Sequence, residues 1–207
     1  MPPRKYEQRL RAEGARATRR RIIDAVYEEL RRAPDRPVSM DRIAQAAGVA
    51  RPTVYLVFGS RAGLFDAVGA DLLHSGGLFE RMIDAAGHPD AREGLRGGVG
   101  GVVAMYAAHR DVLRALSSMA QLDAEAVGGA VRRMEEGRAG GMAELARRLG
   151  EQGLLRADTD VEQATDLLWL LTAFDSFDLL YTGRGATEER VAATLVATAE
   201  RALCAVA

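Results

Sequence analysis

The sequence predicts an all-α protein: a small basic helix-turn-helix head followed by a larger helical body. Three observations carry that expectation. Apolar residues recur at spacings of three and four along most of the 207 residues. No stretch alternates apolar and polar side chains as a half-buried strand does. The charge is also split. Residues 1–65 hold 14 Lys+Arg against seven Asp+Glu, a net of +7, and residues 66–207 hold the other 14 against 22, a net of −8. The formal total of −1 hides this division. A basic head on an acidic body suits a polyanion partner, the plain alternative being a solvated basic face.

The elements follow in order. Residues 1–17 are polar and basic and read as a flexible arm. From Thr18, a plausible N-cap, Ile22, Ile23, Val26 and Leu30 recur at helical spacing. Pro34 and Pro37 end that helix. Ser39 stands where the N-cap of a second helix belongs, with Asp41 in its first turn beside the positive helix end. Ile43, Ala44 and Ala47 form its inner face, and Gly48 ends it by taking a left-handed conformation. A third, short helix begins at Ala50 or Arg51. Pro52 fits its first turn, where a missing N–H is no loss. Gly59 closes it, and Ser60 caps a fourth helix with Leu64, Phe65, Val68 and Leu72 inside.

The stretch His74 to Gly94 is rich in Gly, Asp and Pro and reads as a junction. Beyond it, helices are expected near 91–107, 110–120, 124–150, 160–172, 174–182 and 187–205. The domain division expected is an arm over 1–17, a head over 18–72 and a body over 73–207. Glycines cluster at 97–101, and again at 128, 129, 137, 140 and 141. Close helix packing or compositional bias accounts for them more simply than a pliable segment.

Composition narrows the function classes. Cys204 is the only cysteine, so no disulfide can form within one chain, which fits a reducing compartment. The first twenty residues lack the apolar core of a secretory signal, and the longest strongly apolar run, around Leu167 to Leu171, is too short to span a bilayer. A soluble, cytoplasmic protein without a membrane partner is expected. His74, His88 and His109 are the only histidines, and no HExxH, CxxC or nucleophile elbow occurs. No catalytic residue, metal site or cofactor is therefore expected. A small helical enzyme and a protein-interaction module remain as alternatives from other classes.

Helices two and three, joined by a glycine turn, form a helix-turn-helix whose second helix can enter the DNA major groove. Ala44 and Ala47 are small enough for a close crossing, and Val49 plugs the turn. Here a resemblance enters. The run RIAQAAGVARPTVYLVFGSRAGLFDAV, residues 42–68, resembles the DNA-binding head of the tetracycline-repressor (TetR) family of bacterial regulators. The Ile-Ala pair, Ala-Gly-Val, Thr, Tyr, Phe and a later Leu fall in the family's register. More moderately, LGEQGLLRADTDVEQATDLLWLLTAFDSFDLLYTGRG resembles the body of one branch.

The resemblance implies roles for particular residues. Thr18 and Ser39 match positions that bind DNA phosphates, alongside simple helix capping. Tyr55 matches a tyrosine that donates to a phosphate, with core packing as its other reading. Arg51 and Thr53 start the reading helix. Arg51 suits guanine O6 and N7, or else a sequence-blind phosphate contact, and Thr53 suits a thymine methyl or a phosphate. Arg61 replaces the family's usual lysine and keeps a charge suited to phosphate. Ala50 stands where a capping serine is usual, and Val57 where a histidine or tyrosine usually touches DNA. The arm, too, could reach a minor groove, though Glu7 and Glu13 weigh against it.

The resemblance further implies a homodimer that packs its last long helices as a four-helix bundle, here with Leu167, Leu168, Leu171, Leu195, Val196 and Leu203 on the apolar faces. It implies a palindromic double-stranded DNA operator, and a small apolar or amphipathic effector that releases the protein from it. Met105, Tyr106, Met119, Met142, Trp169, Phe174 and Phe177 supply bulky surface for such an effector, each also readable as ordinary core.

Overall fold

The computed structural model describes residues 3–34, 36–74 and 77–205, with side chains described from residue 8 onward except at Leu78. Ten α-helices are found among the described residues: α1 (Pro3–Arg32), α2 (Met40–Ala46), α3 (Arg51–Phe58), α4 (Arg61–His74), α5 (Leu78–Ala86), α6 (Ala91–Leu122), α7 (Gly129–Glu151), α8 (Val161–Leu171), α9 (Phe174–Tyr181) and α10 (Glu188–Leu203). A short π-helical segment, Ala124–Gly128, joins α6 to α7. The all-α expectation holds. The only extended pairing among the described residues is one antiparallel bridge between Leu155 and Cys204.

The chain divides into two compact units. One is Met1–Asp71 with Asp111–Arg132, the other Leu72–Arg110 with Arg133–Ala207. The sequence placed one division, near residue 72. It did not show that part of the expected body, residues 111–132, groups with the head.

In the first unit, α1 packs on α2 and α2 on α3. Ile22, Val26, Leu30, Val38, Ile43, Val54, Leu64, Phe65 and Val68 are buried there, and Leu72, the fourth inner-face residue expected on α4, is buried as well. Polar ties fasten the helices. The Tyr27 hydroxyl donates to Asp71 at 2.8 Å, and Arg20 donates to the other Asp71 oxygen at 2.6 Å. The buried Glu29 carboxylate is paired with Arg42, because a carboxylate taken from water needs such a partner.

Two expectations need correction. The flexible arm is instead the N-terminal half of α1, which starts at Pro3. Arg, Glu and Ala are good helix formers, and Arg9 pairs with Glu13 one turn on at 2.9 Å. Thr18 is therefore inside a helix and caps nothing. The stretch read as a junction contains α5, whose entry is set by Gly77 in a left-handed conformation at φ 67°. Its glycine and aspartate neighbours disguised a helix of only nine residues.

Gly97 and Gly101 of α6 pack closely, while a β-carbon at Gly100 would meet nothing within 4 Å. A β-carbon at Gly101 would lie 2.6 Å from the Met82 side chain and 2.9 Å from its Cα, and one at Gly97 would lie 2.7 Å from the Ala85 side chain. Helices α5 and α6 approach so nearly that only glycine fits. By contrast, a β-carbon at Gly137, Gly140 or Gly141 of α7 would meet nothing within 4 Å. The expected gap between helices near residue 108 is a kink inside α6, with non-helical angles at His109 (φ −121°, ψ 16°).

Candidate nucleic-acid interface

The helix-turn-helix is built as its sequence requires. Ser39 is the N-cap of α2, accepting from the Arg42 N–H at a long 3.5 Å. Gly48 adopts φ 64°, the left-handed turn that a β-carbon would disfavour. The Val49 N–H then closes back onto the Ala44 carbonyl at 2.9 Å. Ala50 is the N-cap of α3 and provides no side-chain hydrogen bond, so the proline in the first turn is left to set the helix start. Gly59 ends α3 at φ 77°. Ser60 accepts from the Gly63 N–H at 2.9 Å, capping α4 as expected.

The outer face of α3 is defined by what its inner face buries. Val54 is buried, so the opposite side carries Pro52 and Leu56, flanked by Thr53 and Tyr55. Leu56 is 86% exposed, the most exposed large hydrophobic among the described residues. Leu56 was not among the residues expected at the interface. Its signal was available: Leu56 lies two residues after buried Val54, on the far side of a 3.6-residue helix. Thr53, Tyr55 and Val57 are half-exposed.

Arg51 is exposed at the first position of α3. Its Nη1 donates to both Asp41 oxygens, at 3.2 and 3.3 Å, and its guanidinium stands 5.9 Å from the Tyr55 ring centroid. Tyr55, then Asp41, push the Arg51 guanidinium above its already high ordinary value, so it stays charged. Ser39, Arg51, Thr53 and Tyr55 are thus brought to the exposed part of one motif.

Thr18 and Arg61 are placed otherwise. Thr18, half-buried inside α1, has no free helix-end N–H to offer a phosphate, and its hydroxyl accepts from Arg21 at 3.4 Å. Arg61 is turned inward. One Nη donates to Asp123 at 2.6 Å, the other to the Val38 carbonyl at 3.1 Å, and the guanidinium lies over the Phe65 ring. Asp123 in turn accepts from the Ala126 N–H at 3.2 Å, capping the π-helical segment. The arginine fork that suits phosphate equally suits a carboxylate and a carbonyl within its own unit.

The residues expected to meet an effector lie mostly in the second unit. Tyr106, Phe174, Phe177 and Tyr181 form one ring cluster, with centroids 5.4 Å apart for Tyr106 and Phe174 and 4.9 Å for Phe177 and Tyr181. The Tyr106 hydroxyl donates to the Thr172 carbonyl at 3.1 Å, and burial pushes its phenol well up. Beside Phe177, the buried Asp178 accepts from Arg110 at 2.8 Å and from the Thr182 hydroxyl at 2.6 Å. Met105 and Met142 are buried on α6 and α7. Met119 is buried in the other unit.

Trp169 does not join them. It is 44% exposed, and Arg138 lies 5.2 Å over its ring. Leu170 and Leu179 are still more open, at 61% and 70%. Leu168, Leu195 and Leu203, expected on a face shared with a second chain, are buried within the chain. Helical spacing locates an apolar stripe but not which neighbour covers it.

The comparisons agree with this geometry. Residues 22–68 match the family described as bacterial regulatory proteins, tetR family. No curated relative matches the chain. Among solved structures, NalD, the secondary repressor of the MexAB-OprM multidrug efflux pump in Pseudomonas aeruginosa, is similar at 24% identity. The match covers 92% of this chain and 98% of NalD, with a TM-score of 0.72. The fatty acid degradation regulator FadR of Bacillus halodurans is similar at 17% identity over 87% of this chain and 93% of its own, with a TM-score of 0.69. The ketosteroid transcriptional regulator KstR2 of Mycobacterium tuberculosis is similar at 18% over 91% and 95%, with a TM-score of 0.66. At these identities the likeness is one of fold.

Proposed function

We propose that the chain, whose residues 22–68 match the tetR family of bacterial regulatory proteins, is a repressor that binds a palindromic operator as a homodimer and is released by a small molecule. The observation that supports this most is the exposed constellation on α3. It sets Arg51, Thr53, Tyr55 and Leu56 on a helix whose start faces outward. Arg51 forks onto a guanine, Leu56 packs on a thymine methyl, and Thr53, Tyr55 and Ser39 hold phosphates. The Thr18 hydroxyl, which accepts from Arg21, adds a phosphate contact. The role of Arg61 is to hold the head to Asp123 rather than to touch DNA directly.

The second chain seats on α8, α9 and α10, which pack on one another. Trp169, Leu170 and Leu179 are its apolar anchors, and Ala193 and Thr194 on α10 leave room for a close approach. Two heads must then meet successive major grooves, roughly 34–36 Å apart. The effector is small and apolar or amphipathic. It binds around Tyr106, Phe174 and Phe177 with Met105 and Met142, where Thr172 and the Arg110–Asp178 pair supply polarity. A ligand that prefers one head spacing lowers DNA affinity by its differential affinity for the two states. NalD, FadR and KstR2, which share the fold, are a drug-efflux, a fatty-acid and a ketosteroid regulator, which accords with an apolar ligand. Selection of bound sequences from a random DNA pool tests the reading, and failure to enrich any site removes it.

A further inference from the structure

The first half of α1 has no role in the head's core. From Gln8 to Ala17 every side chain is exposed, about 15 Å of helix. The segment from Gln8 to Arg21 carries Arg9, Arg11, Arg16, Arg19, Arg20 and Arg21 against the single acid Glu13. Arg9 is spent on Glu13, and Arg20 on Asp24 and Asp71. Arg11 and Arg16 have no carboxylate partner among the residues whose side chains are described, from Gln8 onward. This basic surface is continuous with the reading motif. The Arg19 guanidinium lies 4.7 Å over the ring of Phe58, the last residue of α3. A β-carbon at the Gly48 turn would lie 3.9 Å from Arg21 Nη1.

We propose that this exposed basic half of α1 is a second DNA-contact surface, lying as a helix along the sugar-phosphate backbone beside the reading helix. It rests on the DNA-binding reading above. Its helical form decides the mode. A helix with side chains is about 10–12 Å across and the minor groove about 6 Å wide, so the segment does not thread that groove as an extended tail would. Duplex DNA carries about one charge per 1.7 Å of axis, so the segment overlies several phosphates. Arg11 and Arg16, with Arg9 exchanging Glu13 for phosphate, supply the contacts. They carry no sequence information and set grip and register.

The full chain and its Arg9→Gln/Arg11→Gln/Arg16→Gln variant are titrated with the selected operator, flanked on each side by about ten base pairs, one helical turn, over a range of salt. The variant is expected to bind at least tenfold more weakly at low salt. Its log K against log salt slope should be shallower by about 1 to 3 with site preference unchanged. Hydroxyl-radical footprinting should show backbone positions protected by the wild type and open in the variant. A second variant, Ala15→Pro, keeps every charge but breaks the helix, and is expected to lose a comparable share of affinity. Equal affinity and slope in the triple variant would overturn the proposal while leaving the DNA-binding reading intact. A proline variant that matches wild type would overturn the helical mode. A wild-type chain that binds no DNA overturns both.

Discussion

Arg51 reaches back across the glycine turn to Asp41, its Nη1 3.2 Å from one carboxylate oxygen and 3.3 Å from the other. Both groups are exposed, so the pair contributes little to stability. Its consequence is for recognition. A carboxylate beside the reading arginine repels phosphate and keeps the guanidinium from settling on the backbone. Arg51→Ala is expected to weaken the selected site by about 1–3 kcal/mol and random DNA by much less. Asp41→Asn is expected to tighten both, random DNA more. Fluorescence anisotropy on the two duplexes separates the cases, and equal losses for Arg51→Ala would make Arg51 a backbone contact.

Leu56 gives a test at the level of one methyl group. If it packs on a thymine, replacing that thymine by uracil removes the contact and costs wild type about 0.8 kcal/mol, roughly fourfold in affinity. Leu56→Ala should bind the thymine and uracil operators alike. Wild type that ignores the exchange at every thymine of the site would show that Leu56 reads no methyl.

The Arg61–Asp123 pair has a structural role in this account. Arg61→Ala is expected to lower stability by about 1–3 kcal/mol, read by thermal melting, because it strips a charged partner from Asp123 and a donor from the Val38 carbonyl. The salt slope for operator binding should not change. A slope shallower by about one unit would return Arg61 to the phosphates.

Two glycine substitutions should move stability in opposite directions. Gly101→Ala drives a β-carbon against Met82 and its backbone, at a cost of about 1–3 kcal/mol. Gly140→Ala meets open space inside a helix and should stabilise by about 0.5–1 kcal/mol. Chemical denaturation of both variants decides whether the α6 glycines serve packing.

Leu179→Glu and Trp169→Glu place a charge on the face assigned to the second chain. Sedimentation should show monomers with unchanged helical content and weakened operator binding. Dimers that persist in both variants would move the interface elsewhere.

How much of this was legible in the sequence differs by element. The helix-turn-helix was plain because local chemistry dictates it. Gly48 must turn, Pro52 must start a helix, and Ile43, Ala44 and Leu64 must face inward. The start of α1 was misplaced, since a run of charged residues with no apolar stripe looks the same in a helix and in a tail. Arg61 was matched to a phosphate contact by the resemblance; Asp123 lies 62 residues away, and no local pattern announces such a partner. That Trp169 is exposed and Leu168 and Leu195 are buried within the chain was not legible for the same reason: spacing shows a stripe, and only packing shows what covers it.

The central claim is that the exposed face of α3 reads a specific DNA sequence. Selection of the full chain's ligands from a random duplex pool tests it most directly. The account predicts enrichment of a site with two inverted half-sites about one helical turn apart, and loss of that enrichment for Arg51→Ala. Recovery of unenriched sequence from a chain that still binds DNA in a salt-dependent way would contradict it, leaving a basic head with no reading function.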